Sequence, residues 1–158
     1  MLFQETQFLR YPPLYILLAT CWGGTVGLML ISDAVWWHYL AISAVFLSAI
    51  LLLYSSKLTI TIVAENITLS MFPFFGNKVF SFPEIASISV HEINPLMDYG
   101  GWGYRIVPFQ NTTAYIMQGN KGTTLVLIKS NQKIVVSLKN AAAFEMALTQ
   151  TMYSSKNP

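Results

Sequence analysis

Residues 11–56 of this chain hold a single formal charge, Asp33, which divides them into two apolar runs, each long enough to cross a bilayer. Few soluble folds tolerate such a stretch. A helix rises about 1.5 Å per residue, so roughly 20 apolar residues span a hydrocarbon core of about 30 Å. The pattern predicts a hairpin over residues 13–56, with helices at about 14–32 and 36–55. Pro12 and Pro13 open the first helix, where a missing N–H has no helical partner to lose. The tight turn Ser32-Asp33-Ala34 makes the helices antiparallel and returns the chain to the side from which it started.

A cleaved signal peptide is the rival reading of the first run. It fails because the run exceeds an h-region of about 7–15 residues, no small-x-small site follows it, and a second span comes directly after. Arg10 and Lys57 flank the hairpin on one side, so the positive-inside rule places both termini and all that follows Lys57 in the cytoplasm. Trp36, Trp37 and Tyr39 then mark the outer interface, with Tyr11 and Tyr54 at the inner one. Neither span contains Asp, Glu, Lys or Arg, which argues against a transport path, since such paths use ionisable groups or broken helices at mid-membrane depth. Ala19, Gly23 and Gly27 recur every fourth residue and form a ridge for close helix packing. The expectation is that the ridge packs the hairpin on itself, because a tethered neighbour has a high effective concentration. The alternative occupant is another protein's helix or a second copy. Residues 1–12 read as a juxtamembrane arm in which Phe3, Phe8 and Leu9 suit a short surface-lying element.

Averaged over 158 residues the chain is 54% hydrophobic and 10% charged, far from the soluble mean of about a quarter charged. The average hides a split. Residues 57–158 carry eight of the nine Lys/Arg and five of the seven Asp/Glu, net +3, and are enough for one small aqueous domain. Cys21, the only cysteine, lies in the first apolar run and rules out an intramolecular disulfide.

From Lys57 the apolar period switches to two. Thr59–Ile62 and Ile67–Met71 read as a hairpin about Glu65-Asn66, Gly76-Asn77 reads as the next turn, and Val79–Phe82 and Ile85–Glu92 read as further strands. Tyr104–Val107, Thr113–Gln118, Thr123–Lys129 and Lys133–Leu138 follow, separated by turn-forming clusters. Asn140 then caps a helix over about 141–152, with Phe144, Ala147, Leu148, Thr151 and Met152 on one face. The domain therefore spans 57–153, with a 154–158 tail. The expected fold is an α+β membrane protein: a two-helix transmembrane hairpin, then an antiparallel β-barrel or sandwich of seven or eight short strands, capped by a C-terminal helix.

This plan, with the segment Pro95-Leu96-Met97-Asp98-Tyr99-Gly100-Gly101-Trp102-Gly103-Tyr104-Arg105, resembles bacterial membrane-anchored PH-like domain proteins that share a Pro-Leu-x-Asp-Tyr-Gly-Gly-Trp-Gly-x-Arg signature. The resemblance covers essentially the whole chain. It implies a PH-like fold attached to the bacterial inner membrane, and it assigns no reaction and no functional residue.

Three groups of residues invite a functional reading. Asp98, Tyr99, Gly100, Gly101, Trp102, Gly103 and Arg105 form a candidate interaction loop, in which Asp98 and Arg105 can pair and Trp102 can recognise a ligand; the competing reading is a glycine-shaped bend with Trp102 packed on the domain. Lys121, Lys129, Lys133 and Lys139 are candidate contacts for anionic headgroups, against a reading as solvated lysines. His91, Glu92 and Asp98 are the nearest approach to an acid–base or metal site, and one histidine with two carboxylates is a weak one. A phosphate-binding glycine loop opens a helix, whereas this one precedes a strand. Net +3 gives no footing for nucleic acid, and no cofactor is implied. The reading is a non-enzymatic module anchored in the lipid bilayer, binding a protein partner or the membrane surface, with a membrane protein or a second copy as partner. The alternatives are a membrane-bound enzyme using His91, Glu92 and the Asp98–Arg105 segment, and a small transport component.

Overall fold

The computed structural model describes residues 2–32, 35–73 and 75–154. The expected Asp33 turn, most of the expected 154–158 tail and the Met152 side chain lie outside what is described. The chain forms two compact units, Arg10–Ser55 and the combination of Met1–Leu9 with Ser56–Pro158.

The first unit is two helices, α1 (Pro12–Ile31) and α2 (Trp36–Ser55), close to the expected spans. Both are long and apolar enough to cross a membrane. Neither has a buried residue, and Leu28, Leu30, Trp36 and Val45 stand well exposed. Helices this apolar on every side suit a lipid environment. Half-buried positions run through Leu14, Leu18, Thr25 and Met29 on α1, and through Tyr39, Ile42, Phe46 and Leu53 on α2. Across the pair Trp22 Nε1 donates to Ser43 Oγ at 3.2 Å. Of the small-residue ridge, Ala19 and Gly23 are exposed and Gly27 is half-buried, and a Cβ added at Gly23 or Gly27 would meet nothing within 4 Å.

The second unit is built on two sheets. β1 (Phe3–Phe8), β2 (Lys57–Ile62), β3 (Asn66–Phe72) and β4 (Phe75–Ser81) form an antiparallel meander in that order. The N-terminal arm expected to lie on a membrane surface is thus an edge strand, with Phe3 opposite Ile62 and Phe8 opposite Lys57. The two helices are an insertion between paired strands, and Leu9 N–H donates to Ser56 O at 3.3 Å where the chain leaves and rejoins the sheet. The expected turn at Gly76-Asn77 also moves. Both residues are in β4, Asn77 opposite Ser70, and the chain turns around Pro73 instead. Proline has no N–H to give a ladder, so it belongs at the strand end.

β5 (Ile85–Glu92), β6 (Gly103–Val107), β7 (Thr112–Ile116), β8 (Lys121–Leu127) and β9 (Lys133–Leu138) form the other sheet, in the order β5-β8-β9-β7-β6. All its pairs are antiparallel except β7 with β9. Nine strands are present among the described residues, one more than the upper expectation, because β1 joins.

Alternation sets the core. Leu58, Ile60, Ile62, Ile67, Leu69 and Met71 face inward from the first sheet, and Leu125, Ile134, Val136 and Leu138 are buried in the second. α4 (Ala141–Ser154) buries Phe144, Ala147, Leu148 and Thr151 at helical spacing, as expected. Asn140 Oδ1 accepts from Ala143 N–H at 3.1 Å, and Phe144 meets Phe3 of β1 edge to face at 5.6 Å. A polar clamp fixes β1 alongside. The buried Glu5 carboxylate accepts the N–H groups of Lys139 and Asn140 at 2.7 and 2.8 Å, so a carboxylate from the N-terminal strand satisfies donors at the start of α4. Gln7, 1% exposed, donates to Ser137 O and accepts from Ser137 Oγ and Gln118 N–H.

Candidate functional site: the β5 edge and its cleft

The residues singled out by sequence fall into structural places. Asn94 begins a short helix, α3 (Pro95–Tyr99): its Oδ1 accepts Met97 N–H at 3.2 Å, while Asp98 Oδ2 accepts Asn94 N–H at 2.7 Å. Asp98 thus closes a reciprocal cap, and no ion pair with Arg105 is found among the described residues. Gly100 ends the helix at φ 72°, where a side chain would be strained. Tyr99 and Trp102 pack against Ile93, Ala114, Ile116 and Val135, so the glycine-rich segment covers one face of the β7/β9 pair. Burial raises the Tyr99 phenol above its ordinary value, and the Asp98 charge adds to the rise. Arg105 is exposed, with Nη2 3.3 Å from where a Cβ on Gly101 would stand. Gly103, at φ 96°, starts β6. The segment therefore carries the burial expected of a bend packed on the domain, and Leu96 and Met97 are its exposed tip.

The four lysines are exposed but do not converge. Lys121 lies opposite Leu138, next to Lys139, at one end of the β8/β9 pair, whereas Lys133 lies opposite Val126 at the other end, near Lys129. The strand length between them is about 17–20 Å. His91 and Glu92 are exposed at the end of β5, opposite Gly122 and Lys121. No group of three His, Cys, Asp or Glu side chains comes together among the described residues.

What distinguishes one surface is how the four sheet edges are treated. An edge strand offers unpaired N–H and C=O groups, and proteins blunt such edges with inward-pointing charges, short length or cover. β1 is held by the Glu5 and Gln7 clamp. β4 carries Lys78 in the inward row of Ile60 and Leu69, its Nζ 5.9 Å from the Tyr115 ring. Tyr115 is 2% exposed and its hydroxyl finds no partner in good hydrogen-bond geometry; burial raises its pKa, the Lys78 side chain, close enough to interact with the phenol, opposes the rise, and Tyr104 adds to it. β6 is only five residues long. β5 has eight, and Ile85 to Val90 carry no charge.

Beside that edge lies a cleft of about 580 Å³. Ile85, Ala86 and Ile88 of β5 form one wall, Phe82 and Pro83 of the preceding 3-10 turn another, and Ala64 with Glu65 from the β2–β3 turn the rim. Thr151 of α4 closes one side. Glu65 is the one charged residue of the lining. A β-bulge between Ile85 and Ser87 kinks the strand beside the cleft, and from Ser87 on its register with β8 is continuous. Sequence reading found β5 but not its position at an edge, since strand order is set by pairings distant in sequence. No family model, curated protein or solved structure matches the chain.

Proposed function

We propose that this protein is a non-enzymatic, membrane-anchored PH-like module that takes an extended segment of a protein partner along β5. In this reading α1 and α2 span a bacterial inner membrane, with the β unit and both termini in the cytoplasm. The anchor rests on two apolar helices that no protein surface covers, and the orientation on Arg10 and Lys57. Support for the PH-like part comes from an antiparallel four-strand sheet, β1 to β4, a second antiparallel run of β5, β8 and β9, and a C-terminal helix whose apolar face is buried. The β6–β7 hairpin with its glycine-rich cover is then an addition to that plan.

The observation that carries the binding role is the uncharged β5 edge beside an apolar cleft. A segment added there gains main-chain hydrogen bonds from the edge and places alternate side chains in the cleft, with Glu65 favouring a basic residue at the rim. A photo-crosslinking amino acid at Ser87 of the full-length protein in native membranes tests this. The expected result is a discrete adduct whose cross-linked peptide is an extended segment, weakened by Ser89→Lys and absent with the cross-linker at Thr59 on the outer face of the first sheet. Equal labelling at the two sites refutes the proposal.

A further inference from the structure

The outer face of the first sheet changes character along its length. Its middle is neutral and polar: Thr6, Thr59, Ser70 and Asn77 lie in one cross-strand row, and Thr6 Oγ1 meets Thr59 Oγ1 at 3.3 Å. The next row toward the chain's passage into α1 and out of α2 is Phe8–Lys57–Phe72, with Phe8 opposite Lys57 and Lys57 opposite Phe72. Phe8 is 41% exposed and Phe72 52%, and Lys57 is exposed between them. Pro73, where the chain turns, follows directly on Phe72 and adds another apolar residue beside this row.

Covalent continuity says what this end meets. Only Leu9, Arg10 and Tyr11 separate β1 from α1, so Phe8 and Pro12 are four steps apart, a reach of at most about 14 Å, and Ser56 alone separates α2 from β2. If the helices cross a bilayer, as proposed above, the Phe8–Lys57–Phe72 row is tethered within that distance of its surface at two neighbouring points. Aromatic side chains beside a basic one suit the headgroup layer, where rings enter the acyl boundary and an ammonium meets phosphate.

We infer that Phe8, Lys57 and Phe72 form a lipid-docking row that seats the first sheet on the surface of the bilayer its helices cross.

Site-directed spin labelling of the full-length protein in vesicles of neutral and anionic phospholipid tests this. Cys21→Ser supplies the background, and nitroxides are placed at Phe8→Cys, Phe72→Cys and, as reference, Thr61→Cys. Thr61 lies four residues along β2 from Lys57, about 14 Å away. The expected result is collision with oxygen favoured several-fold over collision with a water-soluble nickel chelate at positions 8 and 72, and the reverse at 61. Nickel access at 8 and 72 equal to that at 61 overturns the inference, provided the protein stays in the membrane after carbonate extraction. Release by carbonate overturns the anchor itself. Shielding from both oxygen and nickel at 8 and 72 overturns lipid as the occupant, because a protein surface then covers the row.

Discussion

Removing the Glu5 carboxylate tests how the N-terminal strand is held. Glu5→Ala leaves the N–H groups of Lys139 and Asn140 without the oxygens that now lie 2.7 and 2.8 Å away, and takes from Gln7 Nε2 one of its two acceptors. A hydrogen bond to a charged group contributes about 1.5–3 kcal/mol. Lys139 and Asn140 are exposed, so water replaces part of what is lost, and the expected net is about 2–4 kcal/mol for the two bonds. At about 1.4 kcal/mol per decade this becomes roughly a 30- to 700-fold rise in local opening. Hydrogen exchange followed by mass spectrometry on the full-length protein in detergent reads it directly. Peptides covering β1 and the start of α4 are expected to exchange faster together, while β3 and β8 change little. Glu5→Gln keeps one acceptor and should fall between the two. If β1 in Glu5→Ala exchanges within about threefold of the parent, the clamp contributes nothing and the reasoning from buried charge-assisted bonds is wrong.

Two further substitutions probe the domain. Gly119 has φ 91°, and a Cβ there would stand 2.8 Å from Leu138 O, so Gly119→Ala is expected to lower stability by at least about 2 kcal/mol by thermal melting. Gly76→Ala, with nothing within 4 Å, is the reference and should shift it by less than about 1 kcal/mol. Tyr115→Phe removes a buried hydroxyl that has no partner in good hydrogen-bond geometry but interacts with Lys78, so stability near neutral pH should change by less than about 1 kcal/mol. The folded pKa of Tyr115 is raised, so its contribution is complete below the unfolded value of about 10 and declines as pH rises through the folded one. Melting curves followed upward from about pH 8 should therefore fall less steeply in Tyr115→Phe than in the parent.

The places where sequence and structure part company share a cause. β1 carries no strand signal in sequence because its inward residues include Glu5 and Gln7, which removes the apolar alternation; they are inward because partners on β9 and at the start of α4, more than a hundred residues away, satisfy them. α3 does have a local signal: Asn94, Pro95, Asp98 and Gly100 stand where a capped single turn requires them. Asp98 can pair with Arg105 by spacing, but in the fold it accepts the Asn94 N–H at the cap of its own helix. The lysines form a cluster in sequence and two separate pairs in space, because a hairpin sends neighbours to opposite ends of its strands. The glycine ridge on α1 likewise marks a face without showing what lies against it.

By itself the sequence determined what depends on local chemistry. Two apolar runs set the helices, period-two alternation set most strands, and Asn140 with the spacing of Phe144, Ala147 and Leu148 set the last helix. Only the tertiary structure decided that the helices interrupt a sheet instead of preceding it, that Trp102 is cover for β7 and β9, and that β5 is the long uncharged edge beside a cleft. Those outcomes depend on which strands pair across long separations. Pairing is settled by how two sheets and a helix bury one core together, a quantity that no single segment carries.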